Sequence, residues 1–260
     1  MTLALIAGQG ALPRTLAAAL GGDPACYHLV GFAPEGLASA PFRVEHLGSF
    51  IAGLTAEGVT RVCLAGAIAR PKLDPAAIDA ATLPLVPRMM QALQAGDDGA
   101  LRVVLSLFEE AGIEVVAAQD LAPDLLRIPE VGTPSDRDRT DIARAREVHA
   151  GLAALDVGQG CVVAGGQVLA LEALPGTDWM LRSLAAPFPR PEGGVFFKAG
   201  KPAQDRRVDM ATIGPETVTA AAAAGLSGIA VVQDAVLVLE GETLAERARA
   251  AGLFVAALPE

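Results

Sequence analysis

The fold is decided by residues 3–20, which read LALIAGQGALPRTLAAAL. The first five are apolar and lead directly into glycines, the pattern of a strand that is buried on both faces of a sheet. Residues 13–20 have helical apolar spacing, and their proline falls in the first turn, where a missing N–H is tolerated. A buried strand, a glycine turn and a helix together predict one unit of a parallel α/β sheet.

The same alternation of apolar runs and amphipathic segments continues through the first half of the chain. The predicted elements are strands at 27–32, 61–65 and 113–117 and helices at 84–95 and 99–111. Gly112, between the last helix and the last strand, is typical of a helix C-terminus. We therefore predict a Rossmann-like N-terminal domain over residues 1–130, built on a parallel sheet with helices.

The second half changes character after a break. Two prolines and a glycine in residues 128–135, IPEVGTPS, interrupt any regular pattern and predict a linker at 131–136. Gly165-Gly166 separates two apolar runs and suits a two-residue β-hairpin turn, because both positions tolerate positive φ. Residues 137–260 are therefore predicted to form a C-terminal mixed α/β domain, so that the whole chain is an α/β fold of two domains. Its other predicted elements are a helix at 137–155, strands at 228–232, 235–239 and 253–257, and helices at 215–224 and 242–251.

Composition limits the classes of function. The formal net charge of -10 and the pI near 4.8 argue against a nucleic-acid partner, because binding to a phosphate backbone needs a basic surface. The three cysteines lie far apart without a C-x-x-C pair, so neither a disulfide framework nor a zinc site is indicated, and a reducing cytoplasm is expected. No apolar stretch approaches the ~20 residues of a membrane span, so a soluble protein is expected.

Opposite charges concentrate in residues 198–209, KAGKPAQDRRVD, although only 19% of the chain is charged. Glycine and proline predict that this segment is a loop. Its arginines are suited to chelate phosphoryl oxygens, its lysines to add point charges, and Asp205 and Asp209 to hold Mg²⁺ or to orient a water. The segment therefore predicts an anion site, for phosphate above all. A solvated loop of surface ion pairs is the alternative.

Two groups in the first half are further candidates. Gly8-Gln9-Gly10 follows a strand and opens a helix, so its amides are placed to face an anion, and a plain tight turn is the alternative. A dinucleotide site is not supported, because Pro13 replaces the third glycine of that fingerprint. Asp97-Asp98 precede a predicted helix and are candidates either for the site or for a helix N-cap.

One group in the second half combines a carboxylate at a strand end, Glu172, with polar residues at the start of a helix, Thr177 and Asp178. Ligands gather at such positions in α/β sheets. The three histidines are scattered and no G-x-S-x-G sequence occurs, so zinc and serine-hydrolase chemistry are unsupported. Candidates for an apolar wall of the site, with ordinary core packing as the alternative, are Trp179, Met180 and Leu181.

Six motifs follow one another along nearly the whole chain. They are LIAGQGALP at 5–13, LAGAIARP at 64–71, GDDGALR at 96–102, DVGQ at 156–159, EALPGTD at 172–178 and KPAQDRRVDMATIGP at 201–215. Together they resemble the LpxI-type UDP-2,3-diacylglucosamine diphosphatases of lipid A biosynthesis. The resemblance implies a Rossmann-like domain followed by a catalytic mixed α/β domain, with the lipid held between them. It also implies hydrolysis of UDP-2,3-diacylglucosamine to UMP and 2,3-diacylglucosamine 1-phosphate (lipid X), assisted by Mg²⁺.

With this resemblance, the candidate residues divide by role. Asp209 and Asp205 are predicted to be catalytic, and the candidate Mg²⁺ ligands are Asp209, Asp205, Glu172 and Asp178. The predicted substrate-binding residues are Gly8, Gly10, Asp97, Asp98, Gly176, Thr177, Lys198, Lys201, Gln204, Arg206, Arg207 and Thr212. An apolar groove for the acyl chains is assigned to Trp179, Met180, Leu181 and Phe196.

The expected partner is a lipid-linked nucleotide sugar. We expect a cytoplasmic enzyme that binds transiently and peripherally to the inner face of the inner membrane, with homodimerisation as an option. A nucleotide-sugar transferase or dehydrogenase that uses the Gly8–Gly10 turn is a first alternative, but it would need an acidic residue at the end of the second strand. The second alternative is a non-catalytic protein that binds a nucleotide sugar or a lipid phosphate. Carboxylates beside a phosphate favour catalysis with a metal over simple anion binding.

Overall fold

The chain divides into two compact units in the computed structural model, which describes residues 2–21, 24–69, 71–94, 97–186, 188–202 and 204–260, without the side chains of 92–94 and 97–98. Unit 1 comprises Met1–Pro123 together with Asp205–Asp209. Unit 2 comprises Asp124–Gln204 and Met210–Glu260. The segment 205–209 thus belongs to unit 1, although it lies far along the chain from the rest of that unit.

Unit 1 is built on a parallel five-stranded sheet with the order β3-β2-β1-β4-β5, the order found in doubly wound nucleotide-binding folds. Its strands are β1 (Thr2–Ala7), β2 (Ala25–Leu29), β3 (Ala40–Phe42), β4 (Val59–Ala65) and β5 (Glu114–Val115). Its helices are α1 (Leu12–Ala19), α2 (Leu47–Ala56), α3 (Val86–Gln94), α4 (Asp97–Glu110) and α5 (Ala118–Leu121), with 3₁₀ turns at Val44–His46, Pro75–Ala77 and Leu83–Leu85. A further 3₁₀ turn, Pro123–Leu126, spans the division between the units.

The central position of β1 follows from its sequence. Its residues 4–7 are all buried, and Leu5 lies level with Cys26 of β2 on one side and Cys63 of β4 on the other. A strand with parallel neighbours on both sides and helices over the sheet has no solvated face, which is why its residues are apolar without alternation. The predicted parallel sheet of the first half is therefore confirmed.

Three elements of unit 1 were not predicted from the sequence: helix α2, strand β3 and the four-residue helix α5. Helix α2 reads LGSFIAGLTA, whose two glycines lower intrinsic helix propensity, and the burial of Leu47, Ile51 and Leu54 in the core outweighs that cost. Strand β3 is three residues long, contains Pro41 and lies at the sheet edge, where proline is tolerated. The strand predicted at 27–32 instead ends at Leu29.

Unit 2 contains a mixed five-stranded sheet of order β12-β10-β8-β6-β7 and a parallel pair, β9 with β11. Its strands are β6 (Gly160–Ala164), β7 (Gln167–Leu171), β8 (Val195–Lys198), β9 (Ala211–Ile213), β10 (Gly228–Val232), β11 (Val236–Val238) and β12 (Phe254–Leu258). Its helices are α6 (Asp136–Ala153), α7 (Gly176–Ser183), α8 (Pro215–Ala223) and α9 (Gly241–Ala251). Strand β6 runs antiparallel to both β7 and β8, whereas β8, β10 and β12 are mutually parallel. The predicted mixed α/β architecture is confirmed.

The hairpin between β6 and β7 forms as predicted. Gly165 and Gly166 have φ of +56° and +76°, so both occupy the left-handed region that such a turn requires. The sequence analysis did not foresee that Asp141 of α6 also holds this turn. Its carboxylate accepts hydrogen bonds from the amides of Gly165, at 3.0 Å, and Gly166, at 2.7 Å.

Over the described residues, we find no helix that combines the length and the apolarity needed to span a membrane.

Candidate functional site

A buried ion pair lies at the end of β8. Lys198 is 3% exposed and Glu172 is 8% exposed, and the Lys198 Nζ donates to Glu172 Oε2 at 3.0 Å and to Oε1 at 3.3 Å. The same ammonium donates to Thr177 Oγ1 in the first turn of α7. Lys198 therefore belongs to a strand rather than to the predicted loop. The structure brings three predicted site residues together here, and two of them neutralise each other's charge.

Two glycines make room for this pair. A Cβ on Gly158, which has φ of +58°, would lie 2.1 Å from the Glu172 carbonyl oxygen. A Cβ on Gly160 would lie 2.9 Å from Glu172 Oε2 and 2.8 Å from the Phe196 ring. The amide of Glu172 also donates to the carbonyl of Gly160 at 2.9 Å. The start of β6 is therefore shaped to pack directly against the carboxylate that holds Lys198.

The chain that follows β8 is held by polar contacts within unit 2. Lys201 Nζ lies 2.5 Å from Asp156 Oδ1, and the Lys201 amide donates to Gln204 Oε1 at 3.0 Å. His149 of α6 is buried against Phe197, and its Nε2 carries the proton, since it donates to the Ala199 carbonyl at 3.1 Å. Burial lowers the pKa of this imidazole. The sequence analysis gave no role to His149, because its partner lies fifty residues away.

Residues 205–209 form a compact turn in unit 1. Arg207 donates to both carboxylate oxygens of Asp205, from Nε at 3.0 Å and from Nη2 at 2.7 Å, and its amide donates to Asp205 Oδ1 at 3.1 Å. The amides of Val208 and Asp209 donate to the Asp205 carbonyl at 3.2 and 3.1 Å. Hydrogen bonds from Arg207 hold the pKa of Asp205 below its usual range. Asp205 is therefore a carboxylate whose charge is already matched by a guanidinium.

Helix α4 and helix α5 supply two further contacts to this turn. Arg207 Nη1 donates to Glu109 Oε1 at 2.6 Å, and Gln119 Nε2 donates to the Arg206 carbonyl at 2.8 Å. Val208 packs against the apolar core of unit 1. Neither Glu109 nor Gln119 could be predicted from the sequence, because each is far along the chain from its partner and no local motif connects them.

The Gly8–Gly10 turn has a clear structural explanation. The amides of Gly8 and Gln9 donate to the carbonyls of Ala65 and Ala67, at 2.8 and 2.9 Å. A Cβ on Gly8 would lie 2.6 Å from the Ala67 carbonyl oxygen, so glycine is required by this close approach of two strand exits. Gly10 has φ of +93°. The amides of Gly8 and Gln9 are engaged within the protein, which matches the tight-turn alternative.

Of the remaining predicted residues, Gly176 and Thr177 form the first turn of α7, and Gly176 has φ of +82°. Asp178 beside them is exposed. Thr212 lies in β9 and its hydroxyl donates to the Met210 carbonyl at 3.1 Å. The side chains of Asp97 and Asp98 lie outside the described residues.

The apolar wall predicted after Thr177 is largely wrong. Met180, Leu181 and Phe196 are buried in the hydrophobic core of unit 2, so they present no surface to a ligand. Trp179, in contrast, is 56% exposed, and Leu174 just before α7 is 96% exposed. Helical periodicity explains the difference, because successive positions on α7 are about 100° apart around the helix axis, so Met180 and Leu181 lie on the side that faces the core and Trp179 lies outside it.

The candidate metal ligands do not converge in the part of the chain that the structure describes. Within it, no group of three or more His, Cys, Asp or Glu side chains is arranged to hold a metal ion. Glu172 and Asp205 are each paired with a cation, as described above. The buried thiols of Cys63 and Cys161 are also unsuited as ligands or nucleophiles at neutral pH, since burial raises the pKa of each to about 12.

Fold and site together define an α/β protein with one parallel and one mixed five-stranded sheet, in which each unit holds a cluster of cations paired with carboxylates. The chain belongs to the LpxI family. Residues 2–125 match the LpxI N-terminal domain, and residues 129–256 match the LpxI C-terminal domain. A protein of Caulobacter vibrioides named UDP-2,3-diacylglucosamine pyrophosphatase LpxI is 39% identical to this chain over an alignment of 272 positions. The alignment covers 97% of this chain and 96% of the relative. The family membership predicted from the sequence motifs is confirmed.

Proposed function

We propose that the protein hydrolyses the diphosphate of UDP-2,3-diacylglucosamine to UMP and 2,3-diacylglucosamine 1-phosphate, a step in lipid A biosynthesis. The observation that carries this proposal is the 39% identity, over nearly the full length of both chains, to a relative named for that activity. In the reaction, a water oxygen bonds to one phosphorus, the bond from that phosphorus to the bridging oxygen breaks, the other phosphate leaves with the bridging oxygen, and the proton lost by the water passes to the leaving phosphate or to solvent.

The chemistry requires cations and a positioned water. A diphosphate diester is inert because its anionic oxygens repel a nucleophile and its leaving phosphate carries charge. We propose that Asp209 positions the water. The proposed substrate-binding set supplies the cations, but Lys198 and Arg207 already face carboxylates in the structure. Lys201 is likewise paired, with Asp156, so the diphosphate is assigned to the four cations Lys198, Lys201, Arg206 and Arg207 as a set. The remaining proposed ligands of the substrate are Gly8, Gly10, Asp97, Asp98, Gly176, Thr177, Gln204 and Thr212.

We also propose that the enzyme uses Mg²⁺. Proteins hold this ion through one or two carboxylates together with substrate phosphates and waters, so three converging carboxylates are not needed. We propose Asp209 as the first candidate ligand and Asp205, Glu172 and Asp178 as the others, of which Asp205 and Glu172 also hold Arg207 and Lys198. Bound Mg²⁺ would neutralise charge on the diphosphate.

The test is to incubate the protein with UDP-2,3-diacylglucosamine and to follow UMP, with Mg²⁺ and with EDTA. We expect UMP to form with Mg²⁺ and EDTA to suppress it. Asp209→Ala should lower kcat by about 10² or more, the usual scale for loss of a catalytic or metal-holding group. Asp136→Ala, an exposed carboxylate at the start of α6, should stay within about twofold. Absence of UMP with the unaltered protein would refute the proposal, and full activity of both Asp209→Ala and Asp205→Ala would move the site to Glu172 and Asp178.

We further propose that the protein works in the cytoplasm, bound peripherally to the inner face of the inner membrane. A diacylated substrate resides in a bilayer. The exposed apolar side chains of Leu174 and Trp179 support contact of the protein with the bilayer surface. Such binding is expected to be sensitive to detergent and insensitive to salt. Homodimerisation is part of the proposal and is tested by sedimentation.

A further inference from the structure

The turn at 205–209 is held by an ion network that ends on helix α4. Asp205 and Arg207 are paired through both carboxylate oxygens, and Arg207 uses its remaining terminal nitrogen on Glu109 at 2.6 Å. The side chain of Asp205 is 14% exposed, that of Arg207 38% and that of Glu109 45%. A bidentate arginine that also reaches a second carboxylate has one defined geometry, unlike an isolated surface pair.

The same network fixes the backbone that carries Asp209. The amides of Arg207, Val208 and Asp209 all donate to Asp205, so the turn moves as one piece with the Asp205–Arg207 pair. The turn contacts its neighbours through Val208, which packs against the core of unit 1, and through the side chains of Glu109 from α4 and Gln119 from α5. The Oε1 of Gln119 is buried and accepts no hydrogen bond from any described residue. Glu109 is thus a charged residue of α4 that binds this turn directly, and Arg102 of the same helix adds electrostatic attraction to Asp205.

We propose that Glu109 is a positioning residue, which acts through Arg207 to hold the turn 205–209, and with it the carboxylate of Asp209, in place on α4. This inference rests on the proposed function for its effect on turnover. Its structural part, the anchoring of the turn by Glu109, does not depend on the reaction. Misplacing a catalytic group by about 1 Å can cost on the order of 10² in rate, so an anchor outside the reacting atoms can still control kcat.

The neighbouring residue on the same helix provides a matched control. Glu110 also accepts from an arginine at 2.6 Å, but its partner is Arg88 of α3. Glu109→Arg and Glu110→Arg make the same change in charge, on adjacent positions of α4, and each places two cations face to face. Only the first affects the turn 205–209.

The first readout is hydrogen–deuterium exchange of a peptide that contains residues 205–209. Glu109→Arg should increase the exchange rate of its amides by about fivefold or more, while Glu110→Arg leaves it unchanged and both variants keep the melting temperature within a few degrees. Glu109→Gln retains an acceptor for Arg207 and should restore most of the protection. Equal exchange in Glu109→Arg and the unaltered protein would overturn the inference, whether or not the protein hydrolyses any substrate.

The second readout is turnover of UDP-2,3-diacylglucosamine. We expect Glu109→Arg to lower kcat by about tenfold or more and Glu110→Arg to stay within about twofold. In an Arg207→Met background, Glu109→Arg should add less than about twofold, because it acts through Arg207. Additive effects of the two substitutions would contradict this route. If the unaltered protein releases no UMP, the proposed function fails, and the exchange experiment still decides whether Glu109 anchors the turn.

Discussion

Lys198 and Glu172 are ionisable residues almost fully withdrawn from solvent in the core of unit 2. Removing charges from water is costly, and it is offset here because the carboxylate and the Thr177 hydroxyl together surround the ammonium. The motif around Glu172 was predicted as a ligand site from its place at a strand end. Its pairing with Lys198 could not be predicted, because the sequence around Glu172 does not indicate which cation lies next to it in the folded chain.

Substitution of Glu172 should therefore lower the stability of the folded protein strongly. Glu172→Ala leaves the Lys198 ammonium buried without its counter-ion, and we expect the free energy of unfolding to fall by about 3–5 kcal/mol. Asp156→Asn removes the charge from the more exposed pair with Lys201, keeps a residue type that tolerates the positive φ of this position, and should cost less than about 1 kcal/mol. Urea denaturation measures both. Equal, small effects would show that the Lys198–Glu172 pair contributes no more to stability than an exposed pair.

Gly8 offers a second test at a single position. A Cβ there would meet the Ala67 carbonyl oxygen at 2.6 Å, and both chain segments are tied by hydrogen bonds, so Gly8→Ala should destabilise unit 1 by more than about 1 kcal/mol. Gly53→Ala is the control, because Gly53 lies in α2 with open space around its Cβ position. There alanine should be neutral or stabilising. Thermal unfolding of the two variants compares them, and matched melting temperatures would rule out the close approach.

The elements that were predicted correctly are those whose pattern lies within a few consecutive residues of the sequence. Gly165-Gly166 predicts the hairpin of β6 and β7, and the unbroken apolar run of β1 predicts a central strand. Strand β8 was missed because it is short and ends in Lys198, a residue that appeared to belong to a charged loop. Long-range pairing with β6 and β10 makes it a strand, and that information is not local.

The packing of α6 against β8 gives a pH-dependent stability. His149 is buried against Phe197 with its pKa lowered by burial, so the unfolded chain binds a proton more readily than the folded one. The free energy of unfolding should therefore fall as the pH drops below about 6.5, by at most about 1.4 kcal/mol per pH unit, and level off below the folded pKa. His149→Gln can still donate to the Ala199 carbonyl without titrating. Urea denaturation between pH 7.5 and 5 compares the two, and parallel profiles would contradict the assignment.

Over the whole molecule, the order of motifs identified the family, and the fold class followed from periodicity. What the sequence could not predict is the division of the chain, in which residues 205–209 belong to unit 1 while their flanks belong to unit 2. The charged segment 198–209 was treated as one loop. It comprises a buried strand end, a turn held by Gln204, and a separate turn whose Arg207 donates to Glu109. Only tertiary contacts distinguish these parts.

The most direct test of the proposed activity compares two substrates side by side. Each buried methylene contributes about 0.8 kcal/mol, so an enzyme that recognises the acyl chains should prefer the acylated substrate strongly. We expect kcat/KM for release of UMP from UDP-2,3-diacylglucosamine to exceed that from UDP-N-acetylglucosamine by at least ~10³-fold, a difference of about 4 kcal/mol. Equal efficiency with the two substrates would contradict the account and place the protein among general nucleotide-sugar hydrolases.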